Sequence, residues 1–442
     1  MQKSAFMILI ILFLCGSILA GCGSESTASP TSDSSPYQFR SDQLEQYVIV
    51  YQTSNPDFAD LARELADHLL EKYDAFVPIV KDSDSQPADY EILLGDTNRT
   101  ESVSQVMSYA ITVGQGQFAI HAGGSYSARQ AMDFLYQSVF NGQEVVLDPG
   151  TYYETSFLAS PNTADETSTA RIMSANILAD AFADSSYQGA FFRGEIFAGM
   201  LATYTPDVLG LQEADKNWND ALSYYLPKLE KAHNLPYAQH LNTYENKVNY
   251  TSLLYRSDKF RIDTDGVHVF SWWTDKAFFH NYHMRNISWA CVTPLNDTSK
   301  SFIVANTHWS YRTEHADGKT SLKNADTPIR ENELRLQCKE ETNTFLTSLR
   351  EAYPETPIFL TGDFNTSLPF FTESGWTPAG FQILSEEAKA QGTALSLVPG
   401  SGHFDHIFGT GSYSIDIFKF FMDGDSHSIL TDHPFVYADL TF

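Results

Sequence analysis

A chain of 442 residues is longer than one ordinary domain, and with 43% hydrophobic and 19% charged residues it can bury sizeable cores rather than stay disordered. Its 28 Lys and Arg stand against 55 Asp and Glu, a net charge of −27, which argues against a protein that coats nucleic acid by charge or grips a membrane through a polybasic surface. Four cysteines in this length exclude a disulfide scaffold, whereas the negative charge leaves metal-assisted chemistry open, because a bound cation inverts the local field.

In chain order, Lys3 gives a thin positive start and Ala5 to Leu14 is apolar. Leu19-Ala20-Gly21-Cys22 then resembles the end of a bacterial lipoprotein signal, which implies cleavage after residue 21, a lipidated Cys22 and a body held outside the cytoplasmic membrane. An uncleaved anchor is the alternative, since Ser4 to Gly21 is long enough to be weighed as a span. Residues 22–45 read as a flexible tether, rich in Ser, Thr, Gly and Pro.

Residues 46–158 read as a small α+β accessory domain. Tyr47 to Tyr51 predicts a strand, and Phe58, Leu61, Leu65 and Leu69 share one face of a helix introduced by Asn55-Pro56. Further strands are expected at 76–80, 90–94 and 118–122, with a helix near 126–140. Tyr90-Glu-Ile-Leu-Leu-Gly95 and Gly123-Gly124-Ser125 loosely resemble a small domain found ahead of some bacterial glycoside hydrolases. No cluster of His, Cys or paired acids points to chemistry here, so a spacer or docking role is expected.

The polar segment 159–170 marks a linker. Beyond it, 171–442 alternates apolar strands (171–177, 208–211, 250–255, 287–295, 301–307, 357–361, 404–408, 434–440) with helices (193–204, 218–231, 330–350). That pattern predicts an α/β (α+β) four-layer sandwich, two packed mixed β-sheets flanked by helices. Cys291, in a strand, and Cys338, on a helix face, read as small buried hydrophobes, with a disulfide as the alternative.

Polar residues recur where apolar strands hand over to loops. Asn176 ends Arg171-Ile-Met-Ser-Ala-Asn-Ile177, and Glu213 ends Val208-Leu-Gly-Leu-Gln-Glu213. Asn306 and His308 close Phe302-Ile-Val-Ala-Asn-Thr-His308, and Asp363 and Asn365 follow Pro357-Ile-Phe-Leu-Thr-Gly362. Asp405 and His406 lie in His403-Phe-Asp-His-Ile-Phe408, and Asp432 and His433 in Leu430-Thr-Asp-His-Pro434. Singly, each has a plain alternative: Gly-Asp-Phe-Asn is a common turn, and a strand-end Glu is commonly solvated.

Together and in this order, Gln212-Glu213, Asn306-Thr307-His308, Gly362-Asp363-Phe364-Asn365 and Asp432-His433-Pro434 resemble the endonuclease/exonuclease/phosphatase superfamily across 171–442. The resemblance implies a divalent-metal-dependent phosphoesterase, acting on a monoester or a diester by metal-assisted attack of water. Such chemistry needs a hard cation, an activated water and donors on the phosphoryl oxygens. Mg²⁺, or Mn²⁺ in its place, takes carboxylate oxygens, which makes Glu213 the principal ligand, with Asp432 and Asn176 completing the set. The family pattern makes Asp363 the residue that orients or deprotonates water, Asn365 a neutral donor beside the phosphate, and His308 a second phosphate-facing histidine. His433 then donates to a non-bridging oxygen, held charged by Asp405. A zinc centre is the weaker rival, because no close-spaced His/Cys ligand set exists.

The chain departs from the family where a Tyr commonly follows the penultimate-strand aspartate. His406 stands there, either touching substrate or replacing the ring in packing. Arg285 is expected near substrate or in a surface ion pair; Arg335 is placed less firmly. Phe270 to Tyr282 packs six aromatics into thirteen residues, to be read as a cleft wall, as packing under a loop, or as a membrane hairpin. Residues 171–442 hold 21 Lys and Arg against 33 Asp and Glu, which argues against a long nucleic acid as substrate without excluding one, whereas a phospholipid head group or small phosphodiester suits a lipid-anchored enzyme with an aromatic wall. An extracellular nuclease of the same superfamily is the alternative, and a non-catalytic surface binding protein is the reading from another class. No protein partner is implied.

Overall fold

The computed structural model describes residues 37–442 except 101–104, 115, 158–167, 181–182, 184–187, 242, 245–246, 249, 272–284, 310–330, 367–370, 372–379, 397–402 and 423. For 243–244, 247–248, 331–335 and 424–426 it gives the backbone alone. The Cys22 signal, most of the linker, the aromatic run after Ser271 and the side chain of Arg335 therefore lie outside the described residues. Among the described residues, no helix is long and apolar enough to cross a membrane.

The first 120 or so described residues build a six-stranded mixed sheet in the order Ile79–Lys81, Val48–Tyr51, Glu91–Leu94, Gln117–Ala122, Tyr109–Gly114, Gly150–Thr155. Phe58, Leu61, Leu65 and Leu69 face its core from the helix Phe58–Tyr73, as their spacing predicts. The second helix, Ser125–Phe134, continues as a π turn to Val139. The folded region begins earlier than residue 46: Phe39–Arg40 pairs with Val146–Leu147, and Phe39 is fully buried in the core. The tether expected over 22–45 is thus cut short by one large aromatic that the sheet encloses.

Residues 168–442 form two larger sheets packed face to face. One has seven strands, running from Tyr237–His240 through Leu253–Arg256, Val208–Gln212, Ala170–Asn176, Phe435–Thr441 and Ser414–Phe421 to Ala394–Ser396. The other has six, from Phe260–Val269 through Asn286–Pro294, Phe302–His308, Ile358–Asp363 and Asp405–Thr410 to Gln382–Ile383. Strand alternation sorts the side chains into layers. Ile172, Val208, Phe302, Val304, Phe359 and Val436 fill the space between the sheets. Met173, Leu209 and Leu211 face outward onto the helices Ala190–Tyr204 and Lys216–His233, and Ile303 and Ile358 face outward onto Glu331–Ala352. Helix, sheet, sheet and helix stack as four layers, the expected sandwich. Cys291 and Cys338 are both buried and are not bridged to each other, so the packing reading of the two cysteines holds and the disulfide between them does not.

The smaller sheet meets the sandwich through apolar contacts of Val106, Met107 and Phe157 and through polar ones. Its strands Val48–Tyr51, Ile79–Lys81 and Glu91–Leu94 run parallel, and the chain passes first to one side of Val48–Tyr51 and then to the other. In open α/β sheets such a switch point, at the carboxyl ends of the strands, opens the crevice that takes a ligand. Here the helix Lys216–His233 fills it. Tyr224 Oη accepts from Gln52 Nε2 at 2.9 Å, and Lys228 Nζ donates to Asp96 Oδ2 and to the Gly123 carbonyl, both at 2.9 Å. A Cβ on Gly124 would come within 2.3 Å of Tyr225 Oη and 2.6 Å of Glu195 Oε2, so only glycine lets the two surfaces close.

Candidate active site

The two parallel strand pairs aim their carboxyl ends at the same rim of the sandwich. Ala170–Asn176 pairs with Val208–Gln212, putting Asn176 opposite Gln212, and Phe302–His308 pairs with Ile358–Asp363, putting His308 opposite Asp363. Asp405 sits across from Asp363 on the antiparallel neighbour. His433 arrives from the loop ahead of the strand Phe435–Thr441. Sequence-distant acids and histidines therefore meet because strand register leaves them no other place.

Glu213, His308 and Asp363 each present a ligand atom within 4.8 Å of the others. Glu213 and Asn365 both adopt left-handed backbone, at φ 66° and 50°, a conformation that non-glycine residues hold only where the surroundings impose it. Asn176 bridges the two carboxylates, donating through Nδ2 to Glu213 Oε1 at 3.2 Å and to Asp363 Oδ2 at 3.0 Å. Its own oxygen accepts from the Leu178 amide at 3.0 Å. Ala179 N–H completes the hold on Glu213 at 2.8 Å.

His308 Nε2 lies 3.2 Å from Asp363 Oδ2. Burial, with help from nearby Arg285, pushes the His308 imidazole below its ordinary value and so toward the neutral form, against the pull of Asp363. Among the described residues its Nδ1 has no hydrogen-bond partner. Burial alone would raise Asp363, but His308 and His433 hold its carboxyl well below the usual carboxylate range. Its Oδ1 accepts from the Asn365 amide at 2.8 Å. The Asn365 side chain donates to the Trp309 carbonyl at 3.1 Å.

His433 Nδ1 donates to Asp405 Oδ2 at 2.7 Å. Burial would lower this histidine, yet Asp405 and then Asp363 raise it well above its ordinary value. Burial pushes the Asp405 carboxyl up to about 7, with His433 pulling the other way. The pair shares one proton, which belongs on His433 because Asp363, 4.0 Å from Nε2, also favours the imidazolium. Asp432 is 55% exposed, with its carboxylate 3.9 Å from His433 Nε2, and it stands outside the compact Glu213–His308–Asp363 group.

His406 is 1% exposed and its ring packs on Phe371 at 5.2 Å and Phe364 at 6.0 Å, with Nε2 3.3 Å from the Thr366 carbonyl. Burial drives its pKa down to about 3. Of the two readings of His406, packing is the one this geometry carries; an enclosed neutral ring has no face left for substrate. Arg285 stands half-buried with its guanidinium 5.9 Å from the Tyr250 ring centroid, on the His308 side of the site.

Tyr250 is the site residue that sequence reasoning missed. It is buried, its ring stacks parallel to His308 at 6.1 Å, and burial raises its hydroxyl, as does neighbouring Glu213. The signal was its place at the head of an expected strand: the Tyr250 carbonyl accepts from Ala214 N–H, directly beside Glu213. Asn306 plays a different part from its strand-end neighbours. Fully buried, it donates to the Leu211 and Ser252 carbonyls at 2.7 and 3.1 Å and ties one sheet to the other.

No protein-family model matches the chain, and no curated protein matches it. Solved structures do resemble it. A D. rerio TDP2 humanised by 14 mutations is 18% identical, with 62% of this chain and 99% of that one covered and a TM-score of 0.45. An endonuclease/exonuclease/phosphatase from Bacteroides vulgatus is 19% identical, with 62% and 98% covered and a TM-score of 0.45. A mannosyl-6-phosphatase from Bacteroides thetaiotaomicron is 16% identical, with 62% and 100% covered and a TM-score of 0.43.

Proposed function

We propose that the chain is a divalent-metal-dependent phosphoesterase of the endonuclease/exonuclease/phosphatase superfamily. The observation that carries this reading is the meeting of Glu213, His308 and Asp363 within 4.8 Å, beside the 2.7 Å His433–Asp405 pair. The donor set suits a hard cation. Two carboxylates come together with an amide between them, and among the described residues no Lys or Arg forms an ion pair with Glu213. Oxygen-rich donors of this kind favour Mg²⁺ or Mn²⁺. Glu213 would hold the ion, with Asp363 and His308 lining the same space, and the ion would neutralise charge on the phosphoryl oxygens.

The side chains do the rest. Asp363, kept deprotonated, accepts an O–H of the attacking water and sets its direction. His433, kept as imidazolium by Asp405, presents Nε2–H to a non-bridging oxygen whose charge grows in the transition state. Arg285 and Tyr250 close the Glu213 side.

The substrate class that fits best is a small phosphodiester or a phospholipid head group. The reading of residues 1–21 as a lipoprotein signal, with Cys22 lipidated, supports it by setting the enzyme at the outer side of the bacterial membrane. The test is hydrolysis by the purified chain, in Mg²⁺ or Mn²⁺, of DNA, RNA, sphingomyelin, inositol phosphates and bis(p-nitrophenyl) phosphate. Metal-dependent release from the diester is expected. Failure on every substrate would overturn the enzyme reading, and preference for DNA or RNA would make the nuclease alternative the correct one.

A further inference from the structure

The two halves of the site come from different loops: residues 176–179 hold Glu213, and residues 430–433 bring in His433. Both depend on one buried side chain. Arg193, on the helix Ala190–Tyr204, is fully buried. Its Nη1 donates to the Ile177 carbonyl at 2.9 Å, the Leu178 carbonyl at 2.7 Å and the Leu430 carbonyl at 3.1 Å. Its Nε donates to the Gln188 carbonyl at 2.7 Å, and the guanidinium lies 5.0 Å from the Trp218 ring.

What Arg193 holds is strained and functional. Leu178 adopts φ 54°, which its branched side chain does not choose unaided. Its carbonyl accepts both from Arg193 and from Trp218 Nε1, at 2.8 Å in the second case. That pinned turn aims Ala179 N–H at Glu213 and Leu178 N–H at Asn176. On the other loop, Leu430 leads directly into Thr431, whose hydroxyl donates to the Asn176 carbonyl at 2.9 Å and accepts from His433 N–H at 3.2 Å. His427 Nε2, 2.7 Å from the His433 carbonyl, closes the same loop.

Two residues further along the same helix, fully buried Glu195 accepts from Met107 N–H at 2.7 Å, Ser127 N–H at 3.0 Å and Ser127 Oγ at 2.7 Å. The helix is thus gripped by the smaller sheet's loops on one side and grips both site loops on the other.

We infer that Arg193 is a positioning residue that sets the Glu213 half and the His433 half of the site in register, and that Glu195 anchors its helix to the smaller sheet. The inference rests on the site reading above, but its structural part can be measured without any substrate. Lys does not replace Arg here: its ammonium ends one bond short of Nη1, the atom that reaches the Ile177, Leu178 and Leu430 carbonyls, and it cannot at the same time serve the Gln188 carbonyl as Nε does.

Amide hydrogen exchange on the full chain tests it. In the wild type, the amides of Ala179, Thr431 and His433 should open with one common free energy, protection factors agreeing within about threefold. In Arg193→Lys, all three should lose about tenfold or more, while strand amides such as Leu209 and Val304 keep theirs. With bis(p-nitrophenyl) phosphate, kcat of that variant should fall about tenfold or more while KM moves less than about threefold, the mark of misaligned groups rather than lost binding. Unlinked opening of the two loops in the wild type overturns the inference, whether or not the variant folds. So does a folded Arg193→Lys with both loops unchanged. A wild type that hydrolyses no phosphate ester sinks the phosphoesterase reading instead, and leaves the exchange result standing.

Discussion

Gln212 Nε2 donates to Asn306 Oδ1 at 2.6 Å across the space between the two sheets. Asn306 returns two bonds, to Leu211 and Ser252 on the facing sheet, and a Cβ on Gly210 would come within 2.6 Å of its oxygen. The strand that ends in Glu213 is therefore fixed to the strand that ends in His308 one turn of the pleat before either reaches the site. Asn306→Ala takes the Asn306 donor from the Leu211 carbonyl and the shortest acceptor from Gln212 Nε2, although the Ser252 carbonyl keeps Leu211 N–H and Gln212 keeps Ser174 and the Gly210 carbonyl. It should cost about 2–4 kcal/mol, read from the urea midpoint. A loss below about 1 kcal/mol would show that water takes over these contacts.

Glu213→Gln and Asp363→Asn should separate two jobs. Glu213→Gln should weaken Mn²⁺ binding in a titration, because a neutral amide replaces the charged donor. Asp363→Asn should lower kcat by about 10²–10⁴-fold, since the water loses its acceptor. Retention of full activity by either variant contradicts the role given to it.

The His433–Asp405 pair sets the pH profile. Asp405, pushed up to about 7 by burial, takes a proton as pH falls and releases its hold on the histidine, so the acid limb lies near neutrality. His433 sits above its ordinary value, so the imidazolium persists through neutral pH and is lost only as pH rises through that raised value. Asp405→Asn removes the larger raising charge. Its profile of kcat/KM should lose the acid limb and bring the alkaline limb down by about 1–3 pH units. Two limbs that stay where they were would place the essential proton elsewhere.

Metal should stabilise the fold as well as serve the reaction. Two adjacent carboxylates repel, and a cation bound only by the folded chain adds stability by mass action. Mg²⁺ or Mn²⁺ at 100 times its dissociation constant should add about 2.7 kcal/mol, seen as a rise in Tm that EDTA reverses. Glu213→Ala should show no such rise.

The sandwich was legible because its central strands are buried on both faces and read as unbroken apolar runs: Val208–Gln212, Phe302–His308 and Ile358–Asp363 all appear within two residues of their expected ends. The strand Phe260–Val269 was missed because it is a half-exposed edge, with Arg261, Asp263, Asp265 and His268 breaking the apolar signal. Gly150–Thr155, exposed along nearly its whole length, was missed for the same reason. Strand-end polarity pointed to the acids and histidines, but it treated Asn306 like the rest; only the facing sheet shows it to be a cross-tie. Arg193 gave no signal at all. An arginine in a helix reads as solvated until three carbonyls from two loops converge on it.

The filled crevice of the smaller sheet changes what a shortened chain would be. A fragment starting at residue 168 would carry Glu195 without its three donors and Lys228 without Asp96, and would turn Tyr224, Tyr225 and Ile196 to water. A carboxylate rehydrates readily; a wide aromatic surface does not, and it becomes sticky. Such a fragment should self-associate. The smaller sheet therefore behaves less like a passenger on a leash than like the back wall against which the catalytic end of the molecule is braced.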